Sequence, residues 1–323
     1  MIVIDENIKG EFKEGTYIAL GSFDGLHKGH MTLIHKVVDE AMADGLKSAV
    51  YTFKNHPLTV AKPELAPKLL MDNQQKIHLL KAKGVDATIF VSFTMEYMQT
   101  EAEEFILSLV HDFNAKGFVV GFNYKYGYQN KGNVDTLREM SERYGFKLFV
   151  MDAALSNDDI ISSTRIRNLI LKGQIKEANE LLFEPFMLRG TVIGGKKLGR
   201  KIGFPTANMS YDTKYVIPKT GVYYTNLMLE GTLHKSITSV GYNPTVDGKT
   251  LSIETYILDF DREIYGEEVK LYFVEYMRDE EKYASLDELV EQLKKDEDYA
   301  RNQELSTLSV SYTHLTLPTN REV

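Results

Sequence analysis

Ile18-Ala19-Leu20-Gly21-Ser22-Phe23-Asp24-Gly25-Leu26-His27-Lys28-Gly29-His30 decides how this chain is read. The apolar run Thr16 to Leu20 has the look of a short buried strand. Gly21 and Gly25 supply a tight turn after it. His27-x-Gly29-His30 then opens a helix with Leu33, Ile34, Val37 and Val38 on one face. A strand, a glycine turn and a helix N-terminus make an anion site, because unpaired N–H groups and the positive end of the helix dipole converge there. Gly29 is expected to give phosphate close approach, and the two imidazoles can donate hydrogen bonds to phosphate oxygens.

The Gly-Lys-Ser/Thr ending of a P-loop is missing, and so is the G-x-G-x-x-G spacing of a dinucleotide site. Gly21 to His30 resembles instead the signature of the HxGH nucleotidyltransferases, which move a nucleoside monophosphate from a triphosphate to an acceptor phosphate.

Around this stretch, strands and helices alternate to about residue 183. Ser48–Phe53, Ala87–Val91, Phe118–Gly121 and Lys147–Met151 read as strands. Asn73–Lys83, closed by Gly84, and Val134–Tyr144 read as helices. A further helix carries Phe105, Leu109 and Val110, with Thr100 as its cap and Glu103 completing a capping box. Such alternation implies a parallel sheet with helices on both faces. Ligands bind beyond the carboxyl ends of such strands. Asn55-His56-Pro57 and Gly121-Phe122-Asn123 fall at such ends, as the histidine motif does. In Ile161 to Arg167, hydroxyls at a helix start followed by arginines fit a triphosphate clamp.

Beyond a helix from Gly173 to Phe183, Pro185 marks a change of period. Met187–Ile193, Val222–Leu229, Leu233–Val240, Thr250–Leu258 and Glu267–Tyr276 are strand-like, which suggests a small antiparallel barrel. A last helix, boxed by Ser285 and Glu288, turns Leu286, Leu289, Val290 and Leu293 inward. Gly194 to Gly203 is glycine-rich and basic, as a flap over nucleotide phosphates would be. Thr206 and Asn208, two apart on extended chain, share a side, and their oxygens suit Mg²⁺ held mainly by phosphates and water. Glu254 is the carboxylate available as base for a hydroxyl nucleophile. Residues 302–323 are assigned to no domain, and from Tyr312 on the sequence reads as a non-native or disordered tail.

Both halves, in this order, resemble the bacterial bifunctional riboflavin kinase/FAD synthetase family, from about residue 14 to about residue 301. The resemblance implies a Rossmann-like nucleotidyltransferase domain at 1–183, then a riboflavin kinase β-barrel with a C-terminal helix at 184–301. It implies that the barrel phosphorylates riboflavin to FMN and that the first domain adenylylates FMN to FAD, with Mg²⁺ and ATP. Residue by residue, it puts Gly21, Phe23, Asp24, His27, His30, Asn123, Ser163, Thr164 and Arg167 around the ATP of the transferase. His56 and Pro57 fall on its flavin side. Gly194, Lys196, Gly203, Thr206 and Asn208 fall on the kinase ATP, the last two at the metal, with Glu254 as base. Asn55 where the family often has proline, and Tyr126-Gly127 where it has Phe-Gly, are departures on the flavin side.

The bulk numbers agree with such an enzyme. Lys and Arg number 38 against 46 Asp and Glu, a net charge of −8, which argues against nucleic acid as partner. No cysteine is present, so disulfides and thiolate chemistry are excluded. The N-terminus lacks the basic and apolar regions of a signal peptide, and no run is long enough to span a membrane. A cytoplasmic enzyme with small-molecule partners is expected, self-association being open. Two rival readings stand: an HxGH transferase with another acceptor, which leaves the barrel motif unexplained, and a catalytically silent flavin-binding module.

Overall fold

The computed structural model describes residues 1–5, 12–195, 198–245 and 248–305. They fall into two compact units, residues 1–163 and the residues from Thr164 on. Lys196 and residues 306–323 of the tail lie outside the described residues.

In the first unit, β1 (Ile2–Asp5), β2 (Thr16–Leu20), β3 (Lys47–Phe53), β4 (Ala87–Val91), β5 (Ala115–Gly121) and β6 (Lys147–Met151) form one sheet in the order β1-β4-β3-β2-β5-β6. Every pairing in it is parallel. β2 is buried along its whole length, as a central parallel strand must be. α1 (Lys28–Ala43) packs on β2, β3 and β5 through Leu33, Ile34 and Val37. α2 (Leu58–Ala61) and α3 (Asn73–Ala82) link β3 to β4, α4 (Ala102–Asp112) links β4 to β5, and α5 (Val134–Tyr144) links β5 to β6. A hairpin of β7 (Leu155–Ser156) and β8 (Asp159–Ile160) follows, turned at Asn157 and Asp158 with φ of 53° and 62°.

The chain departs from the sequence expectation at two places here. β1 escapes a pattern reading because Ile4 is buried while Ile2 and Val3 are exposed at the sheet edge. Thr100 does not cap α4. Glu101 sits at the N-cap with no side-chain cap bond, while the Thr100 carbonyl accepts the Tyr128 N–H at 2.8 Å. Glu103 reaches outward to Arg143, at 3.0 Å, and to the Tyr144 hydroxyl. The threonine is used to hold the loop after β5, so the helix starts one residue later.

α6 (Ser163–Leu171) spans the division between the units, and α7 (Ile175–Leu181) lies in the second. The Asn179 side chain donates to the Phe273 carbonyl at 2.9 Å and accepts the Phe186 N–H at 2.8 Å, which clamps α7 to the strands that follow. β9 (Met187–Ile193), the short α8 (Leu198–Lys201), β10 (Thr206–Met209), β11 (Gly221–Leu229), β12 (Thr232–Thr245), β13 (Gly248–Ile257) and β14 (Glu268–Arg278) come next. The strands close a barrel in the order β10-β13-β12-β11-β14-β9, antiparallel throughout. Its buried hydroxyls satisfy one another: Thr225 with Ser236 and Thr238, both at 2.8 Å, and Thr238 with Thr255 at 2.9 Å.

α9 (Leu286–Asn302) is capped by Ser285, whose Oγ accepts the Glu288 N–H at 3.2 Å, while the Glu288 carboxylate accepts the N–H of Ala284, one residue before the cap, at 3.0 Å, so half of the expected box forms. Its buried face is not the expected one. Leu286 is 67% exposed, and Leu289, Val290 and Leu293 are half-buried. The buried positions are Asp296 and Ala300. Arg278 grips Asp296 from Nη2 at 2.6 Å and from Nε at 3.1 Å, so the helix is held by a buried ion pair in its second half. The Tyr224 hydroxyl donates to the Glu304 carbonyl at 2.9 Å, so the chain stays on the barrel past residue 301.

Candidate functional site

The sheet order puts the carboxyl ends of β3, β2 and β5 side by side. Successive strands run outward from β2 through β3, and β5 returns to its other side, which makes a topological switch point between β2 and β5. The loop after β2 is strained there. Phe23 and Leu26 take φ of 48° and 37°, flanking Gly25 at 83°. Several bonds over-determine it. The Ser22 carbonyl accepts from Thr52 Oγ1 at 2.9 Å and from Lys76 Nζ at 3.0 Å. Asp24 Oδ1 accepts the Leu70 N–H at 2.9 Å, and its carbonyl accepts from Ser163 Oγ at 2.8 Å. Asp24 thus shapes the loop, and Ser163 is tied to it. On α6, Thr164 is exposed and Arg167 buried.

His27 is the N-cap of α1: its Nδ1 accepts the His30 N–H at 3.2 Å. The His27 proton therefore sits on Nε2, which is left as the donor. The two imidazoles stack at 3.6 Å between ring centres, and Phe23, fully buried, packs edge-on against His30 at 5.3 Å. Phe23 supports the ring, and Gly21 makes room for it, since a Cβ there would lie 3.1 Å from the Phe23 ring. Gly29 does the same for His27: a Cβ would meet that ring at 3.2 Å, so the glycine also admits the imidazole stack. Among the described residues, the buried His30 Nδ1 has no hydrogen-bond partner. Burial pushes the His27 pKa down to about 4 and holds His30 well below the usual imidazole range, His27 and Lys76 adding to the latter. At neutral pH the pair are neutral donors, not cations.

A depressed histidine costs stability in acid. Between pH 6.5 and about 4 the unfolded chain binds a proton at His27 that the folded chain refuses, so stability falls as pH drops through that window. The melting temperature of the first unit is expected to fall from pH 7 to pH 5, and a His27→Asn variant to lose part of that slope.

On the β3 side a cleft is lined by Ser22, Asp24, Asn55, His56, Asn73 and Lys76, among others. Asn55 pairs with the β4 loop, accepting the Phe93 N–H at 2.9 Å and donating to its carbonyl at 3.0 Å. Asn55 is thus a cross-loop clamp. His56 Nδ1 accepts the Leu58 N–H at 3.1 Å, and Pro57 caps α2. Behind them Phe53, Phe93 and Tyr97 pack mutually at 5.3 to 5.5 Å, forming an aromatic wall. Tyr126 is buried against Gly132 with its hydroxyl 3.3 Å from Thr136 Oγ1, so its oxygen is satisfied. Asn123 is exposed just past β5.

In the barrel, Asn208 stands directly opposite Glu254 across the β10–β13 pairing. Thr206 Oγ1 donates to Glu254 Oε2 at 3.4 Å, and Ser252 Oγ to Oε1 at 3.4 Å. Ile253 and Thr255 on either side are buried, so Glu254 faces away from the core. Gly195 closes on this group: a Cβ would lie 2.3 Å from Asn208 Nδ2. Gly194 is open, and Gly203 takes φ of 85° before Phe204. The two neutral oxygens of Thr206 and Asn208 fit a cation whose other ligands are phosphate and water, and the Glu254 carboxylate beside them can act as a base. Glu280, which nothing in the sequence marks, lies 3.4 Å from Ser239 Oγ, and burial, with Glu254 nearby, raises its pKa. Gly195→Ala is expected to raise the KM for ATP of the barrel's reaction about tenfold, the size of a modest overpacking cost. Initial rates across ATP concentration check it.

Comparison with known proteins decides between the readings. Residues 9–165 match the FAD synthetase family and residues 182–303 the riboflavin kinase family. The bifunctional riboflavin kinase/FMN adenylyltransferase of Listeria monocytogenes is 39% identical over 286 residues, 88% of this chain and 91% of that one. That of Bacillus subtilis is 34% identical over 288 residues, 88% of this chain and 90% of its own. The chain belongs to the bifunctional riboflavin kinase/FMN adenylyltransferase family. A crystal structure of a Streptococcus pneumoniae protein named macrolide-efflux protein shares the fold, with TM-score 0.86 and 33% identity over 94% of this chain and 100% of that one. Among the described residues here, no helix is long and apolar enough to cross a membrane. The order of the family's two parts is the order of the histidine loop and the barrel, and the rival with a single transferase domain leaves residues 182–303 without a counterpart.

Sequence reasoning missed Lys76 and Glu280. Lys76 sits in a helix whose apolar spacing hides it, next to Ile77, yet it is the side chain that reaches the Ser22 carbonyl.

Proposed function

We propose that the chain makes FAD from riboflavin in two ATP-dependent steps on separate sites, the kinase within 184–301 and the adenylyltransferase within 1–183. The observation that carries this reading is the pair of built sites: a strained histidine loop at the switch point of a parallel sheet, and a carboxylate flanked by Thr206 and Asn208 on a barrel strand pair.

In the kinase step the riboflavin hydroxyl attacks the γ-phosphorus of ATP and ADP leaves. A neutral hydroxyl is a poor nucleophile, so Glu254 takes its proton as the bond forms. Thr206 and Asn208 would hold Mg²⁺, which supplies charge neutralisation on the ATP phosphates when bound. Gly194, Lys196 and Gly203 belong to the flap over the nucleotide.

The transferase step needs no base, because the FMN phosphate is already an anionic nucleophile. It attacks the α-phosphorus of ATP, the bond to the β-phosphate oxygen breaks and pyrophosphate leaves. The protein must align the two and stabilise charge in the transition state. His27 Nε2–H and His30 do so as neutral donors at the α1 start. Asn123, Ser163, Thr164 and Arg167 complete the ATP side. His56 and Pro57, beside the edge-to-face Phe53–Phe93–Tyr97 cluster, are the flavin side of the site.

A panel of acceptors tests the transferase assignment. With FMN, ATP and Mg²⁺ the chain is expected to release pyrophosphate. Release with a pantetheine, nicotinamide or cytidylyl-type acceptor instead would sink it, and flavin binding without ATP turnover would favour a silent module.

A further inference from the structure

Lys76 lies on the first helical turn of α3, only 5% exposed. Its ammonium donates to the Ser22 carbonyl at 3.0 Å and approaches Thr52 Oγ1 at 3.5 Å, while its other flank sits over the Phe90 ring at 5.7 Å. A carbonyl and a hydroxyl are neutral, so they compensate a buried cation only in part. Asp24 is the carboxylate that favours the charge, yet its Oδ1 already serves the Leu70 N–H. The other titratable groups around the cleft are Lys54, His56 and, behind the loop, His30. Among the described residues, a buried cation that hydrogen-bonds only neutral oxygens, with Asp24 as its nearby carboxylate, and that lines the cleft between the histidine loop and Asn55-His56, is arranged for an anion that arrives from outside.

We propose that Lys76 is a phosphate-binding residue of the adenylyl-transfer site, holding the monophosphate of the FMN acceptor while its bond to Ser22 fixes the loop that carries His27. This rests on the transferase reading above. Neutral histidines orient phosphate but do not neutralise it, and Lys76 supplies the missing positive charge on the acceptor side. Burial also pushes its pKa down to about 8, so the charge is lost in mild alkali.

The test uses the full chain and reads FAD formation from FMN and ATP, with FMN formation from riboflavin measured beside it. Lys76→Met is expected to raise the KM for FMN about 30- to 100-fold, the usual effect of losing one charge-assisted bond to phosphate, with kinase rates unchanged. Lys76→Arg should restore most of the affinity. In the wild type, kcat/KM for FMN should fall above pH 8, and in Lys76→Arg that fall should disappear, because a guanidinium stays charged. The wild-type profile needs no variant to fold. A KM for FMN within threefold of wild type in Lys76→Met, a wild-type profile flat to pH 9.5, or an alkaline fall that persists in Lys76→Arg would each overturn the proposal. A wild-type chain that forms no FAD at any pH would strike at the transferase reading itself.

Discussion

His27→Ala and His30→Ala are each expected to lower FAD formation about 10²- to 10³-fold while FMN formation from riboflavin runs at the wild-type rate. The size follows from removing a fixed donor aimed at transition-state charge. Two effects compete in His27→Ala, since the same ring caps α1 through the His30 N–H at 3.2 Å. Loss of a cap costs about 1 kcal/mol, against the 5–15 kcal/mol that holds a typical domain together, so the fold should survive. A His27→Asp variant separates the two. Its carboxylate can still accept the His30 N–H and so keeps the helix, but it places a negative charge where phosphates bind. Its melting temperature should stay near wild type while FAD formation is lost. If His27→Asp kept FAD formation, the imidazole would be a cap and nothing more. If either alanine variant lost both activities together, the histidines would not belong to one of two separate sites.

Glu254→Gln is expected to do the reverse. FMN formation should fall about 10²- to 10⁴-fold, the range for a lost general base, while FMN supplied directly is still converted to FAD. Glutamine keeps the shape and can still meet Thr206 and Ser252, the hydroxyls 3.4 Å from the carboxylate. The KM for ATP should therefore change little, because Thr206 and Asn208 remain in place. A variant that bound ATP poorly but turned over at the wild-type rate would make Glu254 a metal or nucleotide ligand. Single-site kinetics with riboflavin and ATP varied separately tell the two apart.

Much of this arrangement is legible in the sequence because it rests on short-range rules. The strand–glycine–helix run from Thr16 to His30 specifies its own local geometry, and the parallel sheet follows from the alternation after it. The same holds for the barrel strands, whose turns are marked by Gly, Asn and Asp. What escapes is set by long-range contact. Thr100 looks like a cap until the loop after β5 takes its carbonyl. The apolar stripe at the start of α9 predicts an inner face, but the Arg278–Asp296 pair decides which way the helix lies. Gly29 reads as space for a ligand, and only the folded loop shows that it also makes room for the His27 ring. Lys76 is 54 positions from Ser22, and no periodicity links the two. Asn55 reads as a departure on the flavin side, and the fold shows it bridging two strand-end loops.

The measurement that bears most directly on the two-step account is a time course. Purified chain is incubated with riboflavin, ATP and Mg²⁺, and riboflavin, FMN and FAD are resolved by chromatography. The account predicts FMN rising first and then declining as FAD appears, with ADP and pyrophosphate released in step with each product. Riboflavin left intact, or FMN that accumulates with no FAD following it, would contradict it.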